Sequence, residues 1–271
     1  MKTIVITGGA RGIGRGLATA FLKSGHRVVI TSRSRDSVDK ATAELTGEIS
    51  TGNITGNIYG FTLDLHDRAS IEALWDNAVT AMGSVDIWIN NAGCSNIIAP
   101  FIEVESAEID RVMGRNVVGL LHACQVALKG MTAQGHGQLW NMEGYGSDGM
   151  KRAGMTIYGA SKYAVSYITD SLVRETAGTP VQVCHLSPGI VVTDLLLKDA
   201  KKRSADQWAK AKKIYNILGD KVETVTPYLA KAILMTDKTG SRVAWLTRGK
   251  VARRFMGAAF NKRDLFSEYG L

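Results

Sequence analysis

Proline is scarce, with four residues in 271, and no Pro- or Ser-rich stretch or block of like charge interrupts the chain. That argues against a linker and predicts one large domain over residues 1–271. Cysteine is scarce too. Cys94, Cys124 and Cys184 lie far apart with no Cys-x-x-Cys spacing, which argues against a disulfide framework and implies reduced thiols in a cytosolic compartment. His26, His66, His122, His136 and His185 lack metal-ligand spacing, so no metal is expected. No apolar run approaches the ~20 residues of a membrane-spanning helix. The first strand signal, Thr3-Ile-Val-Ile-Thr7, starts almost at Met1 and leaves no space for a signal or transit peptide. The expectation is a cytoplasmic protein, or a plastid one if a transit segment of a longer precursor is missing from this chain.

Charge is present in excess of one sign. The net charge is +8, and much of it falls late. Lys198, Lys201, Lys202, Arg203, Lys210, Lys212 and Lys213 form one group; Arg248, Lys250, Arg253, Arg254, Lys262 and Arg263 form another. Solvated helix faces explain such charge first, an anionic cofactor or substrate second, an anionic membrane surface third. No helix-turn-helix or aromatic–basic pattern supports nucleic acid.

Strand and helix signals alternate. Apolar runs at 4–6, 27–30, 59–63, 85–89, 137–141, 181–186 and 242–246 read as strands. Helical patterns cover 14–24, 37–45, about 67–82, 105–130, 158–177, 193–218 and 226–235, and the Gly/Thr/Asn-rich stretch 46–60 reads as loop. This alternation predicts an α/β fold, a Rossmann-type doubly wound parallel sheet with helices on both faces.

Thr7-Gly-Gly-Ala-Arg-Gly-Ile-Gly14 joins the first strand to the first helix. Gly8 permits a sharp turn, Gly12 lets backbone approach a pyrophosphate, and Gly14 lets the helix pack on the sheet. Arg11, Ile13 and the helix N-terminus complete the phosphate site. The second strand ends in Thr31-Ser-Arg-Ser-Arg35, with no Asp or Glu to hold an adenosine ribose. Arg33, helped by Ser32, Arg11 or Arg35, suits a 2′-phosphate, so NADP(H) is the expected cofactor. Of eight tyrosines only Tyr158 has a lysine, Lys162, four residues on. One helical turn apart, the pair shares a face. An ammonium beside a phenol favours the phenolate, which predicts a lowered Tyr158 pKa suited to proton transfer.

Together these residues resemble the short-chain dehydrogenase/reductase family from Met1 to about Leu246. The shared motifs are the glycine loop, Asp64-Leu65, Asn90-Asn-Ala-Gly93, Asn116, Tyr158-x-x-x-Lys162 and Ser187-Pro-Gly-Ile-Val-Val-Thr193. The resemblance places Asp64 and Leu65 at the adenine, Asn91, Ala92 and Gly93 by the adenosine ribose, and Pro188, Gly189, Val191 and Thr193 beside the nicotinamide. Asn116 would kink its helix and hold a water next to Lys162. Tyr158 would protonate a substrate alkoxide, while Lys162 tunes Tyr158 and holds the nicotinamide ribose. The family also implies a mobile lid at about 194–221 that sets specificity. A homodimer or homotetramer would form through helices near 117–130 and 158–177.

One departure is informative. The family reads Asn-x-Ser-Ser after the fifth strand, the second serine binding the substrate oxygen. Here the segment is Asn141-Met-Glu-Gly-Tyr-Gly-Ser-Asp-Gly149, with Gly144 in the serine's place. Either Ser147 is brought round to replace it, or a backbone N–H or water polarises the carbonyl and Ser147 is a turn residue. This segment, and a basic-apolar tail at 247–271 with Phe260-Asn-Lys-Arg-Asp-Leu-Phe266, resemble the chlorophyll(ide) b reductase branch. That resemblance implies NADPH-dependent reduction of the C7 formyl of this tetrapyrrole. Leu195, Leu196, Leu197, Trp208, Ile214, Tyr215 and Leu218 then either face a large planar ligand or are lid packing or an oligomer contact. The rival readings are a reductase of another carbonyl (3-oxoacyl thioester, steroid or small ketone) and a nucleotide-binding regulator without catalysis.

Overall fold

The computed structural model describes residues 1–52, 55–201, 203–258, 260 and 263–271. Lys202 and Lys262 of the basic groups, Asn261 of the tail motif, and the side chain of Asp199 lie outside the described residues. The apolar runs form strands β1 (Thr3–Ile6), β2 (Arg27–Ser32), β3 (Asn57–Thr62), β4 (Ile87–Asn90), β5 (Gly137–Met142), β6 (Val181–Ser187), β7 (Val191–Val192), β8 (Asp220–Lys221) and β9 (Arg242–Ala244). Seven of them make one parallel sheet in the order β3-β2-β1-β4-β5-β6-β9. The strand order reverses between β1 and β4, and the crevice at the strands' carboxyl ends there is where α/β sheets bind ligands. β7 and β8 pair separately, Val191 with Asp220 and Val192 with Lys221.

The helices are α1 (Gly12–Lys23), α2 (Arg35–Ser50), α3 (Arg68–Met82), α4 (Ser106–Met113), α5 (Gly119–Gln134), α6 (Thr156–Glu175), α7 (Asp194–Ala200), α8 (Ala205–Leu218), α9 (Val222–Leu234) and α10 (Arg248–Gly257). Side chains alternate across a strand, so each strand feeds two cores. Ile4 and Ile6 pack with Leu17, Phe21, Val38 and Leu229 of α1, α2 and α9. Val5 packs on the opposite face with Ile71, Ala123 and Val165 of α3, α5 and α6.

Three boundaries differ from expectation. The 46–60 loop is shorter, because α2 continues to Ser50: Leu45 is buried, and the Thr46 and Ser50 hydroxyls donate to carbonyls one turn back, Thr42 (2.8 Å) and Thr46 (3.0 Å). Asn53 and Ile54 of that loop lie outside the described residues. The helix expected over 105–130 is interrupted at residues 114–118 by a wide π turn containing Asn116. The helix expected over 193–218 is two, because Ser204 and Gln207 form a capping box that starts α8 afresh. The tail adds α10, capped by Thr247.

Candidate active site

The phosphate loop is built on close contacts. Gly8 (φ 66°) and Gly12 (φ 55°) adopt left-handed backbone. A Cβ on Gly14 would lie 2.5 Å from the Gly8 oxygen and 2.6 Å from Asn91 Nδ2. Asn91 holds the loop by donating to the carbonyls of Thr7 (2.9 Å) and Gly8 (3.1 Å). The Thr7 hydroxyl accepts from the backbone N–H groups of Asn91 (3.1 Å) and Ala92 (3.0 Å). Ile13 packs on the core below. Helix α1 has no side-chain cap and no acid in its first turn, so its N-terminus keeps its positive end for an anion.

At the end of β2, Thr31 is buried and its hydroxyl accepts from the Gly8 N–H at 3.0 Å. Ser32 is half-buried, and Arg33 and Arg11 are exposed. Arg35 is committed to Asp39 at 2.7 Å. Among the described residues neither the Arg11 nor the Arg33 guanidinium makes a hydrogen bond or ion pair. Asp64 turns its carboxylate to the His66 N–H (3.0 Å), and Leu65 is buried against Gly119. On the far side, Gly189 (φ 70°) follows Pro188, Val191 is buried, and Thr193 Cγ2 lies 3.5 Å from where a Gly12 Cβ would sit. The turn after β6 thus meets the phosphate loop across the crevice.

Asn116 is buried in the π turn. Its amide donates to the Cys94 carbonyl (2.8 Å) and Ser161 Oγ (3.0 Å), and its oxygen accepts from the Cys94 N–H (2.9 Å). Seen from Gly93, Asn116 Oδ1 and Lys162 Nζ lie 3.2 and 3.8 Å from the position of an added Cβ. Lys162 is buried and donates to the Met142 carbonyl at 2.9 Å. Helix α6 brings Tyr158 beside it, with the Tyr158 N–H bonded to Asn96 Oδ1 at 3.1 Å.

The expected depression of the Tyr158 pKa is not found. Burial, with a smaller contribution from Cys94, pushes the phenol up to about 12. Burial also pushes Lys162 down to about 8, against the opposing pull of Cys94 and Glu143. The reason is geometric: Nζ lies 6.0 Å from the Tyr158 ring centre and donates a hydrogen bond to the Met142 carbonyl instead. Shared helix spacing set the pair side by side but not in hydrogen-bond contact.

Gly144 is where the two side chains converge. A Cβ there would meet Tyr158 Oη at 2.5 Å and Lys162 Cε at 3.1 Å. The residue's missing side chain is the space that the Tyr158 hydroxyl uses. Ser147 Oγ accepts from the Gly144 N–H (3.0 Å) and donates its one proton to the Lys162 carbonyl (3.1 Å). Its hydroxyl therefore closes the turn and staples it to α6. Gly146 (φ 94°) presses on the same helix; a Cβ there would lie 2.7 Å from Gly159 Cα. Gly144→Ala is expected to displace the Tyr158 hydroxyl and lower turnover by about 10²-fold, the cost of an ångström-scale misplacement. Steady-state kinetics beside a thermal melt check this, with kcat falling while Tm barely changes.

Two features escaped the sequence reading. Glu143, next to Gly144, is buried and held by Arg242 through Nε (3.0 Å to each oxygen) and one terminal nitrogen (2.7 Å). His185 Nδ1 lies 3.2 Å from the same carboxylate, and its Nε2 3.2 Å from Asp170. Burial pushes Glu143 up, but His185 and Arg242 outweigh it and hold the carboxyl near about 2. Nothing local in the sequence links residues so far apart.

The second is a clasp. Asp220 at the lid's base is buried and accepts from Trp245 Nε1 (2.6 Å), Arg254 (3.0 Å) and Arg263 (2.7 Å). Leu196, Leu197, Trp208 and Tyr215 of the lid pack on the tail's Phe266, with Trp208 edge-on at 5.0 Å. These side chains are packing between lid and tail, leaving Leu195 (50%) and Ile214 (42%) exposed.

A parallel sheet that carries a glycine phosphate loop and a tyrosine–lysine pair to one edge is the architecture of a nicotinamide-nucleotide oxidoreductase. The chain belongs to the short-chain dehydrogenase family, whose model matches residues 2–204. It is similar to a probable chlorophyll(ide) b reductase NYC1 of Arabidopsis thaliana, 31% identical over 99% of this chain and 55% of that one. It is 36% identical to a chlorophyll(ide) b reductase NOL of Oryza sativa over 85% of this chain and 66% of the relative. The chain thus spans between half and two-thirds of these curated relatives. Among solved structures, levodione reductase shares the fold with a TM-score of 0.80 at 22% identity, covering 93% and 98% of the two chains. Among the described residues no helix is long and apolar enough to cross a membrane, and no group of metal-binding side chains occurs.

Proposed function

We propose that this chain is an NADPH-dependent carbonyl reductase acting on the C7 formyl of chlorophyll(ide) b. The observation that carries the reading is the Tyr158 hydroxyl standing over the bare Gly144 with Lys162 beside it. A protonated phenol in that place donates to a developing alkoxide, and no side chain at residue 144 narrows the approach of a wide substrate. The similarity to chlorophyll(ide) b reductases supports the choice of carbonyl.

The residues present fit the cofactor. Gly8, Gly12 and Gly14 form a cradle that side chains would fill, and Arg11 and Arg33 are uncommitted cations at the 2′-phosphate end. Bound NADPH would supply the hydride for the carbonyl carbon. Asn91 holds the phosphate loop, Lys162 faces the nicotinamide ribose, Asn116 fixes the turn behind Lys162, and Ser147 fixes the loop carrying Gly144. A backbone N–H or water then polarises the substrate carbonyl. Asp64 and Leu65 border the adenine; Pro188, Gly189, Val191 and Thr193 border the nicotinamide. Residues 194–221 act as the lid, and exposed Val118, Leu121, Tyr163 and Tyr167 suit pairing of two copies through α5 and α6.

One specific observation favours a second reading, a reductase of a smaller carbonyl: the lid aromatics are packed on Phe266 rather than free to face a planar ring. Incubation with NADPH and chlorophyllide b, followed by chromatography, distinguishes the two. The 7-hydroxymethyl product is expected, with NADH at least about tenfold poorer because it lacks the group Arg33 binds. Absence of that product beside robust ketone turnover would favour the second reading. Equal use of NADH would refute the Arg33 assignment.

A further inference from the structure

Helix α10 carries Arg248, Lys250, Arg253 and Arg254 and no acidic residue. Arg254 turns inward to Asp220. At about 100° per residue, Ala252 and Met256 fall opposite Arg254, with Arg248 and Phe255 on one flank and Arg253 on the other. Phe255 is 46% exposed, Met256 73%, and Phe260 just beyond the helix 93%. Single exposed apolar residues are ordinary, but three within six positions, flanked by cations, point to an interaction surface.

Beside this face is an open pocket of about 400 Å³ between α9, β9 and α10. Tyr228, Trp245, Lys250 and Arg253 line it, and no carboxylate does. The Lys250 ammonium lies over the Trp245 ring, which stands edge-on to Tyr228 at 5.3 Å. Burial, and after it Arg254, push the Lys250 pKa down against the opposing pull of Asp220. The sheet is parallel and α10 begins just past the end of β9, so this face lies at the same edge of the sheet as Tyr158.

We propose that α10 and Phe260 form a docking surface for an anionic lipid bilayer, with Phe255, Met256 and Phe260 entering the headgroup–acyl boundary and the Lys250–Arg253 pocket receiving a lipid phosphate. Charge complementarity selects this occupant: a basic helix with exposed aromatic and aliphatic side chains suits an anionic interface, where tryptophan and tyrosine also settle. The docking does not depend on the proposed reaction. If that reaction holds, it sets the mouth of the site next to the phase that dissolves an apolar substrate.

The test is sedimentation of the full chain with phosphatidylcholine vesicles, with and without phosphatidylglycerol. Binding is expected only with the anionic lipid, weakening as salt rises. Met256→Ser with Phe260→Ser, and separately Lys250→Gln with Arg253→Gln, are each expected to weaken it at least about tenfold. Both serine sites are exposed, so an unchanged melting curve shows that the fold survives. Failure to bind phosphatidylglycerol vesicles overturns the proposal, as does equal binding by both double variants. Self-association of the wild type that the serine pair abolishes would assign the face to a second copy instead and overturn it as well. None of these readouts uses turnover, so the carbonyl reading stands or falls separately.

Discussion

Tyr158→Phe is expected to lower carbonyl reduction by about 10²–10⁴-fold, the usual worth of a positioned proton donor. Stability and cofactor affinity are expected to hold. The Tyr158 hydroxyl makes no hydrogen bond with any described residue, so removing it strands no partner, and phenylalanine keeps the ring's packing. Turnover, a cofactor fluorescence titration and a thermal melt separate these effects; full activity would sink the assignment. The pH profile carries a second signature. With the phenol pushed up to about 12, Tyr158 stays protonated across the physiological range, whereas Lys162, pushed down to about 8, loses its charge at mildly alkaline pH. The rate of reduction is therefore expected to decline above about pH 8, and the group responsible is the lysine.

Arg242→Ala is expected to destabilise the fold by about 2–3 kcal/mol at neutral pH, because it leaves the buried Glu143 carboxylate with His185 alone. Half the Arg242 side chain is exposed, which keeps the cost below that of a fully buried pair. The sign of the pH dependence follows from Glu143. Its folded pKa, near about 2, lies below the ordinary 4.5, so its pairing stabilises the protein above that ordinary value and is lost as pH falls toward 2. Urea melts should show the wild type losing its advantage over the variant through this acid window. A gap that stays constant to pH 2 would contradict the role given to Glu143.

Much of the sheet was legible in the sequence, because buried parallel strands write themselves as short apolar runs. The doubly wound architecture, though not its strand order, and the glycine loop followed from those runs and from the turn chemistry of Gly8 and Gly12. The π turn at Asn116 could be inferred only through family resemblance, since its stabilising bonds run to Cys94 and Ser161, distant in sequence. The pKa of Tyr158 was not legible for a related reason: spacing fixes which face Lys162 occupies but not where its ammonium points. The same holds for Ser147, whose hydroxyl is claimed by the Lys162 carbonyl, a contact that no pattern of residues announces. The Glu143–Arg242 pair joins the residue after β5 to the first residue of β9, with β6 between them and nearly a hundred residues of chain, beyond any local signal.

The β7–β8 ribbon has a consequence for how specificity changes. Val191 pairs with Asp220 and Val192 with Lys221, so the chain leaves the body and rejoins it at one place. Such a cassette is exchangeable in principle, since it leaves and returns through one two-residue ribbon. Asp220, however, is also gripped by Trp245, Arg254 and Arg263, and Phe266 is the surface on which the cassette rests. Cassette and tail are therefore one inheritance unit: grafting the substrate preference of a relative onto this scaffold means moving residues 193–219 together with 245–271.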